Sequence, residues 1–241
     1  MLFRGGVKRV LRYLGYDVVR FLPDRHPMAR RLQLLQNNAI RLVLDVGANA
    51  GQFASQMRTI GYAGRIVSFE PMAQAYARLV ERARGDALWE TCHYGLGHAD
   101  GQASIHISRD SYSSSLLEME PDFVRIEPGA ECVGSEIVEV RRLDAVLDGI
   151  WEPSEACWLK VDAQGYEGHV LRGGMDSLPR MRVVQLELAI VPLYQGQPLF
   201  ADMVQFMKGA GFELAAVEPA YFEPDTGRLL QVDGFFERTG A

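Results

Sequence analysis

The sequence predicts an α/β domain in which a mostly parallel sheet is covered by helices on both faces. From residue 38 onward, short apolar runs alternate with segments of helical periodicity, a pattern typical of β–α–β units. The chain has 241 residues, of which 48% are hydrophobic and 23% charged, enough for one full domain with a substantial core. We therefore expect a basic N-terminal helical arm over residues 1–37 and a single α/β domain over residues 38–241.

The elements of the domain can be assigned in chain order. A helix at 28–37 leads into a strand at 40–46, a helix at 52–60, a strand at 65–69, a helix at 73–84 and a third strand at 88–96. The second half contains strands at 157–161 and 182–190, a helix at 200–210, and a β pair at 212–217 and 229–236 joined by a turn at 223–227. Residues 102–107 and 136–140 are further β candidates, and 108–135 is predicted as a long loop.

The N-terminal arm is basic, whereas the rest of the chain is acidic. Residues 1–31 carry a net charge of +6 and the remaining residues −12, which argues against nucleic acid as the main partner. The basic residues of the arm are Arg4, Lys8, Arg9, Arg12, Arg20, Arg25, Arg30 and Arg31. Val7, Val10, Leu11 and Leu14 have the spacing of one apolar helix face. We expect this helix to pack on its own domain or on a second subunit of a homodimer rather than on a membrane.

The chain carries no targeting or cross-linking signal. No apolar run approaches the roughly 18 residues of a membrane span, and no apolar core precedes a small-residue cleavage site. Cys92, Cys132 and Cys157 lie far apart without CxxC spacing, which argues against a disulfide framework or a zinc site. We therefore expect a cytoplasmic protein without an integral membrane segment.

A glycine turn, Asp45-Val46-Gly47-Ala48-Asn49-Ala50-Gly51, stands between the first strand and the next helix. Glycines there let the backbone approach a ligand, and the helix N-terminus offers free N–H donors. Glu70 ends the second strand, about twenty residues further on, where a carboxylate can accept both hydroxyls of a ribose. Asn49 replaces the middle glycine, which makes room for the pyrophosphate in a dinucleotide motif. The carboxylate of Asp45 would face that pyrophosphate unfavourably, but it could orient the ammonium group of a methionine moiety, directly or through water. The pair of motifs favours S-adenosylmethionine over NAD, with a tight turn that binds no ligand as the alternative.

Seven segments together resemble one protein family, the FkbM-type methyltransferases. They are LDVGANAGQF at 44–53, SFEP at 68–71, YGLG at 94–97, SSSL at 113–116, RRLD at 141–144, LKVDAQGYEGHVLRG at 159–173 and QLEL at 185–188. The resemblance covers roughly residues 38–215. It implies a Rossmann-like seven-stranded sheet with an antiparallel last strand, and O-methylation of a hydroxyl on a sugar, a polyketide or another secondary metabolite.

The same resemblance implies which residues contact the cofactor. The expected contacts are Asp45, Gly47, Asn49, Gly51, Phe53, Glu70, Pro71, Gly95, Leu96, Ser115 and Asp162. The sequence departs from the family at two positions. Gly95 stands where many members carry alanine, and Tyr166 replaces a residue that is often smaller. Neither change bears on cofactor binding, and Tyr166 is expected to shape the acceptor pocket.

Methyl transfer to an alcohol needs a base or a metal ion, because alcohols are poor nucleophiles. Asp162 ends the fourth core strand and Glu187 lies near the end of the fifth, while Lys160 shares a strand face with Asp162. In the favoured interpretation Asp162 or Glu187 is the general base and Lys160 neutralises the developing alkoxide. Alternatively, the two carboxylates hold Mg²⁺, or the three residues form a structural ion-pair network. Glu167 is interpreted as a helix cap, and His169 is not expected to be the base.

Two loops are expected to enclose the acceptor, residues 112–135 as a lid and 192–196 as a second wall. Two functions of other classes compete with methyl transfer. Asn49 argues against a nucleotide-dependent oxidoreductase, and a non-catalytic adaptor would have no need of this full set of charged residues. The Asn/Asp-Pro-Pro-Tyr/Phe tetrapeptide of N-methylating enzymes is replaced by DAQG at 162–165, which argues against a nitrogen acceptor.

Overall fold

The computed structural model describes residues 3–152 and 154–240, with side chains from residue 8 onward. The helices are α1 (Phe3–Tyr13), α2 (Pro27–Asn37), α3 (Gln52–Thr59), α4 (Ala73–Ala83), α5 (Pro121–Ile126), α6 (Leu143–Leu147), α7 (Glu167–Arg172) and α8 (Phe200–Gly209). The strands are β1 (Leu42–Val46), β2 (Arg65–Phe69), β3 (Trp89–Cys92), β4 (Gly95–Gly97), β5 (Gly101–Ser108), β6 (Cys132–Arg142), β7 (Cys157–Val161), β8 (Val183–Ala189), β9 (Phe212–Phe222) and β10 (Leu229–Arg238).

Seven strands form the central sheet, in the order β3-β2-β1-β7-β8-β10-β9. β1 lies in the middle and pairs in parallel with β2 and β7, and β8 continues the parallel run beside β7. β10, the last strand of the chain, is antiparallel to both of its neighbours, β8 and β9. The predicted seven-stranded, mostly parallel sheet with an antiparallel last strand is therefore confirmed.

Helices cover both faces of this sheet, as predicted. On β1, Leu42 and Leu44 pack into a core with α6, α7 and α8, whereas Val43 packs into a second core with α2, α3 and α4. Because side chains alternate between the two faces of a strand, one continuous apolar run supplies both cores. The carboxyl ends of the parallel strands consequently meet at one edge, and the turns that follow them build the candidate site.

The predicted third strand at 88–96 is wrong as a single element. The chain forms β3, pairs it with β2, and then leaves the central sheet at His93 and Tyr94. Gly95 to Gly97 pair instead with β6 in a separate three-stranded sheet, in the order β4-β6-β5. The apolar pattern runs through both pieces, so periodicity alone could not separate them.

The predicted long loop at 108–135 is also more ordered than expected. It contains α5, a short 3₁₀ turn at Pro128–Ala130 and the first residues of β6. Pro121 stands in the first turn of α5, where its missing N–H costs nothing. A helix of only six residues leaves almost no periodic signal, which explains why it was read as loop.

The N-terminal arm divides into two parts that behave differently. α2 belongs to the domain: Ala29, Leu34 and Leu35 are buried against it. α1 forms where the apolar spacing predicted a helix, but it does not pack on the domain, since Val10 and Leu14 are each 61% exposed. Packing of α1 on its own domain, one of the two expected arrangements, is therefore contradicted by the exposure of its apolar face, whereas packing on a second subunit stays a prediction. The side chain of Val7 lies outside the described part.

The membrane expectation can be compared with the helices directly. Across residues 3–152 and 154–240, no helix combines the length and the apolar character that crossing a bilayer requires.

Candidate active site

Gly47 lies where the ends of two parallel strands touch. Its φ is +73°, and a Cβ at this position would lie 1.8 Å from the carbonyl oxygen of Asp162. Only glycine fits such a backbone approach. Gly51, with φ +81°, opens α3, and its missing side chain makes room for Leu79 and Trp89. The two glycines of the turn therefore have different roles: Gly47 shapes the floor of the site, and Gly51 serves packing behind it.

Glu70 is buried at the end of β2 with both carboxylate oxygens anchored. Oε2 accepts a hydrogen bond from the backbone N of Asn49 at 2.8 Å, and Oε1 accepts one from the N of Met72 at 2.9 Å. Burial raises the pKa of this carboxyl to about 7, against the opposing effect of the two N–H donors. Each oxygen keeps a lone pair for a further donor, so the group is preset to accept two hydroxyls.

Asp45 does not face the site as the sequence predicted. It is fully buried, its Oδ1 lies 3.1 Å from Nζ of Lys160, and its Oδ2 accepts a hydrogen bond from the Ser68 hydroxyl at 3.2 Å. Lys160 thus supplies the ammonium group that was expected from a ligand. Burial on its own would lower the pKa of Lys160, but Asp45 and Asp162 raise it above its usual value, so this side chain stays charged.

Lys160 also ties together the ends of β1 and β7. Its Nζ donates to the carbonyl oxygens of Val46 at 3.3 Å and Gly47 at 3.2 Å, and lies 3.6 Å from Oδ2 of Asp162. With the carboxylates of Asp45 and Asp162 beside it, its charge is compensated before any substrate arrives. This part of the predicted ion-pair network forms, although its principal partner is Asp45 rather than Glu187.

A cavity of about 250 Å³, the inner cavity, opens above these turns. Of the residues expected to contact the cofactor, it is lined by Gly47, Asn49, Glu70, Pro71, Gly95, Leu96, Ser115 and Asp162. Glu187 lines it as well. Asp45 and Gly51 lie behind its wall. The structure therefore brings most of the predicted cofactor residues to one space.

A second cavity of about 570 Å³, the arm-side cleft, lies on the other side of the glycine turn. Phe53 and Lys160 line this cleft instead of the inner cavity. The two spaces share Gly47, Asn49, Tyr112 and Asp162 in their walls. Asp162 thus stands at the junction between them.

Gln164 joins the two candidate catalytic carboxylates, and sequence reasoning passed over it. Its Nε2 donates to Oδ1 of Asp162 and to Oε2 of Glu187, both at 2.8 Å. Its Oε1 accepts a hydrogen bond from the hydroxyl of Tyr194 at 2.8 Å, and its backbone oxygen accepts one from Ser115 at 2.6 Å. Its φ of +52° is uncommon for a non-glycine residue. A residue in this conformation and so fully bonded is held in place by its surroundings.

The carboxyl of Glu187 has a strongly perturbed proton affinity. Burial and the neighbouring carboxylates of Asp162 and Glu167 raise its pKa well above the usual value. Burial likewise raises the pKa of Glu167 to about 7, although its Oε1 accepts from the backbone N of Ala163 and Gly165. The expected capping role of Glu167 is consistent with these two bonds. Clusters of perturbed carboxyls in a cleft are frequent at catalytic sites.

The donor set at Asp162 and Glu187 does not fit a metal ion as it stands. Both carboxylates point at the same amide NH₂ of Gln164, a hydrogen-bond donor where a cation would need a ligand. Within the described ranges, no group of three or more His, Cys, Asp or Glu side chains is placed to hold a metal. Binding of Mg²⁺ would require the amide of Gln164 to turn away from both carboxylates.

The serine segment at 113–115 is committed to the loop's own bonds. Ser113 donates to Oδ2 of Asp110 at 3.0 Å, the Ser114 hydroxyl accepts from the N of Ser108 at 3.0 Å, and Ser115 holds Gln164. Asn49 anchors the segment from the glycine turn, since its Nδ2 donates to the Ser111 oxygen at 3.2 Å. The loop thereby covers the junction, and the expected closure of residues 112–135 as a lid stays a prediction.

His169 lies outside both cavities. Its ring stacks on Tyr166 at 4.2 Å, and its Nδ1 lies 3.0 Å from Nδ1 of His98. Burial, with the charges of Arg172 and His98, lowers its pKa to about 4. Tyr166 lines the inner cavity and not the arm-side cleft, and its expected influence on the acceptor pocket stays a prediction.

The strand order, the glycine turn after β1 and the buried carboxylate after β2 define an α/β domain of the Rossmann-like methyltransferase class. The chain belongs to the methyltransferase FkbM domain family, which matches residues 45–214. The resemblance noted from its motifs is thereby confirmed.

Individual proteins similar to this chain share only low sequence identity with it. The chain is 25% identical over 197 residues to the 2-O-methyltransferase NoeI of Sinorhizobium fredii, covering 76% of this chain and 77% of that protein. An rRNA methylase from Streptococcus thermophilus superposes with a TM-score of 0.49 at 10% identity, covering 92% and 99% of the two chains. A Burkholderia thailandensis 1,6-didemethyltoxoflavin-N1-methyltransferase, solved with S-adenosylhomocysteine, gives 0.45 at 14% identity, covering 86% and 76%.

Proposed function

We propose that the protein is an S-adenosylmethionine-dependent O-methyltransferase that modifies a hydroxyl of a small sugar-containing acceptor. The observation that carries the cofactor assignment is Glu70, buried in the wall of the inner cavity with one lone pair free on each oxygen. A ribose diol supplies two donors at matching positions. Pro71, next to it, offers an apolar surface for an adenine ring.

The cofactor would supply an electrophilic methyl carbon, and the chain's residues handle the acceptor and its proton. An oxygen lone pair of the acceptor would form the new C–O bond, sulfur would leave with the electrons of the carbon–sulfur bond, and the hydroxyl proton would pass to a carboxylate of the chain. We assign proton acceptance to Asp162, because it lines both cavities. Burial and the neighbouring carboxylates raise the pKa of Glu187 well above its usual value, so Glu187 holds its proton over a wider pH range and is not assigned this role.

The arm-side cleft is the space we assign to the acceptor. Its walls combine amides, carboxylates and guanidinium groups with two aromatic rings, Phe53 and Tyr112. Sugar hydroxyls both donate and accept, and sugar rings stack on aromatic faces. Gln185 lines the cleft, and its buried Oε1 has no hydrogen-bond partner among the described residues. An acceptor hydroxyl would satisfy it. The relation to a 2-O-methyltransferase supports oxygen as the acceptor atom.

The test is transfer of an isotope-labelled methyl group from S-adenosylmethionine to a panel of acceptors. The panel contains methyl glycosides, a polyketide alcohol, a catechol and a nucleoside, each with and without Mg²⁺. We expect methyl ethers of a glycoside. Transfer to the polyketide alcohol in its place would retain the enzyme class and move the substrate, and transfer only to nitrogen would refute O-methylation.

Three substitutions then locate the chemistry. Asp162→Asn should lower kcat by about 10²–10⁴-fold as expected for loss of a general base, and lower it more than Glu187→Gln. Gln185→Leu should raise the acceptor KM about tenfold while the affinity for S-adenosylhomocysteine stays unchanged. The matched control is Gln205→Leu, at an exposed position of α8 outside both cavities. An unchanged kcat in Asp162→Asn would overturn the base assignment.

A further inference from the structure

The end of α1 and the segment that connects it to α2 present apolar side chains to solvent almost without interruption. Eight large apolar residues of this stretch are 42% to 91% exposed, which is unusual for a single segment. They are Val10, Tyr13, Leu14, Tyr16, Val18, Val19, Phe21 and Leu22. Within residues 8–22 only Leu11 is partly covered. The segment of residues 8–25 is called the docking segment below.

The docking segment is folded rather than an extended tail. α1 ends at a left-handed glycine, Gly15, with φ +83°, and the N of Tyr16 bonds back to the oxygen of Leu11 at 2.8 Å. Arg12 closes the turn through a hydrogen bond from its Nε to Oδ1 of Asp17 at 3.2 Å. The helix and the extended residues after it therefore hold a defined relation to each other while both expose apolar groups.

Basic side chains accompany this apolar surface. The docking segment contains Lys8, Arg9, Arg12, Arg20 and Arg25 against Asp17 and Asp24, a net charge of +3. Arg30 and Arg31 lie outside the docking segment and form ion pairs with Glu218 of β9. They are therefore not counted in this net charge. Apolar and aromatic groups beside Lys and Arg are the composition of segments that lie in the interface of anionic bilayers.

We propose that the docking segment binds an anionic lipid surface. A planar lipid phase accommodates a helix face and an extended run side by side, whereas a protein groove would have to match both shapes. The acidic body opposes this binding only weakly, since charges beyond about 8–10 Å are screened at physiological salt. Arg25, at the end of the segment, lines the arm-side cleft. Docking would thus bring the mouth of that cleft close to the lipid headgroups.

The competing occupant is a second copy of the chain. The edge strand β9 exposes Leu214, Val217 and Phe222, and the body is acidic. These three apolar side chains are spread along one strand and offer much less apolar surface than the eight of the docking segment. The lipid surface is therefore the occupant that the exposed groups favour, and sedimentation distinguishes the two.

The full chain is to be sedimented with vesicles of phosphatidylcholine alone and of phosphatidylcholine with phosphatidylserine. We expect cosedimentation with the anionic vesicles, weakening as salt is raised. Lys8→Gln and Arg9→Gln should each weaken it about fivefold, the factor that corresponds to about 1 kcal/mol per basic residue. Leu14→Asp and Phe21→Asp should abolish it.

Two controls test surface residues elsewhere. Arg82→Gln on α4 and Ile137→Asp on β6, both exposed, should bind as the wild type does. Titration with S-adenosylhomocysteine, independent of lipid, shows that each variant is folded and separates this proposal from the proposed function. Absence of vesicle binding, equal binding to neutral vesicles, or binding that survives Leu14→Asp would overturn the proposal. Conversion of a dimer to a monomer by Leu14→Asp, without vesicle binding, would assign the segment to a second copy.

Discussion

Replacement of Glu70 by alanine should remove most of the affinity for S-adenosylhomocysteine. Both oxygens of this carboxylate already accept a backbone N–H, and each retains one position for a ribose hydroxyl. A hydrogen bond to a charged acceptor contributes about 1.5–3 kcal/mol, so two contribute about 3–6 kcal/mol. Calorimetric titration should therefore show affinity reduced by about 10²–10⁴-fold. The matched control is Glu81→Ala, an exposed carboxylate on α4, which should bind normally.

Glutamine should not rescue this site. An amide nitrogen would replace one carboxylate oxygen and face the N–H of either Asn49 or Met72, so a buried donor would lose its partner. Such a loss costs about 1–3 kcal/mol. Glu70→Gln is consequently expected to bind as weakly as Glu70→Ala, although it conserves the shape of the side chain.

The raised pKa of Glu70 gives the same experiment a pH dependence. Burial raises the pKa of this carboxyl to about 7 in the free protein, and under the proposed function ribose hydroxyls would bind its ionised form. Binding should therefore release a proton below pH 7, and affinity should rise about tenfold from pH 6 to pH 8. Titrations in two buffers of different ionisation enthalpy count that proton. A pH-independent affinity without proton release, or an alanine variant within threefold of wild type, would refute the reasoning.

Three further substitutions test the framework of the site. Gly47→Ala places a methyl group 1.8 Å from a backbone oxygen and should lower the free energy of unfolding by more than about 3 kcal/mol. Gly61→Ala, with φ +91° and open space around it, should lower it by about 1–2 kcal/mol. Equal losses in urea melts would contradict the close approach at Gly47. Burial raises the pKa of Glu167 from 4.5 to about 7 in the folded state. Its contribution to the free energy of unfolding is therefore fully present below pH 4.5 and is lost as pH rises through 7. Glu167→Gln should remove about 2.5 kcal/mol of that decline between pH 5 and 8, and an unchanged slope would count against it. Arg31→Leu leaves Glu218 without one partner and should lower the free energy of unfolding by about 3–5 kcal/mol. Adding Glu218→Gln should restore part of that loss. Strict additivity of the two changes would show that the pair is not coupled.

The sheet was predictable because its signal is local. The apolar run of β7 and the run of β2 coincide with the strands that the structure forms. Each is a continuous buried segment between helices, which only a parallel sheet covered on both faces requires. The split between β3 and β4 was not predictable on that basis, because it depends on pairing with β6, more than forty residues later in the chain. Local patterns predict elements, whereas partners on distant strands decide where an element ends.

The position of Glu70 was predictable and the role of Asp45 was not, for a physical reason that concerns strand faces. Glu70 lies directly after β2, at the carboxyl edge of the sheet, and the inner cavity lies at the same edge. Asp45 lies within β1, opposite Lys160 on β7 in the sheet register. Both side chains occur on the same face, and the lysine closes the carboxylate off from the cavity. Register between two strands separated by more than one hundred residues is set by tertiary packing and leaves no trace in either segment alone.

Gln164 shows most directly what a linear motif conceals. Its place between Asp162 and Gly165, directly after a buried strand, was visible, but its partners Glu187, Tyr194 and Ser115 come from three other segments. Two carboxylates that approach one another in a partly buried site repel unless a donor lies between them. The amide of Gln164 is that donor, and it leaves both acids aimed at one point. The relative position of the two carboxylates is therefore set by a neutral side chain to which residue chemistry alone assigns no role.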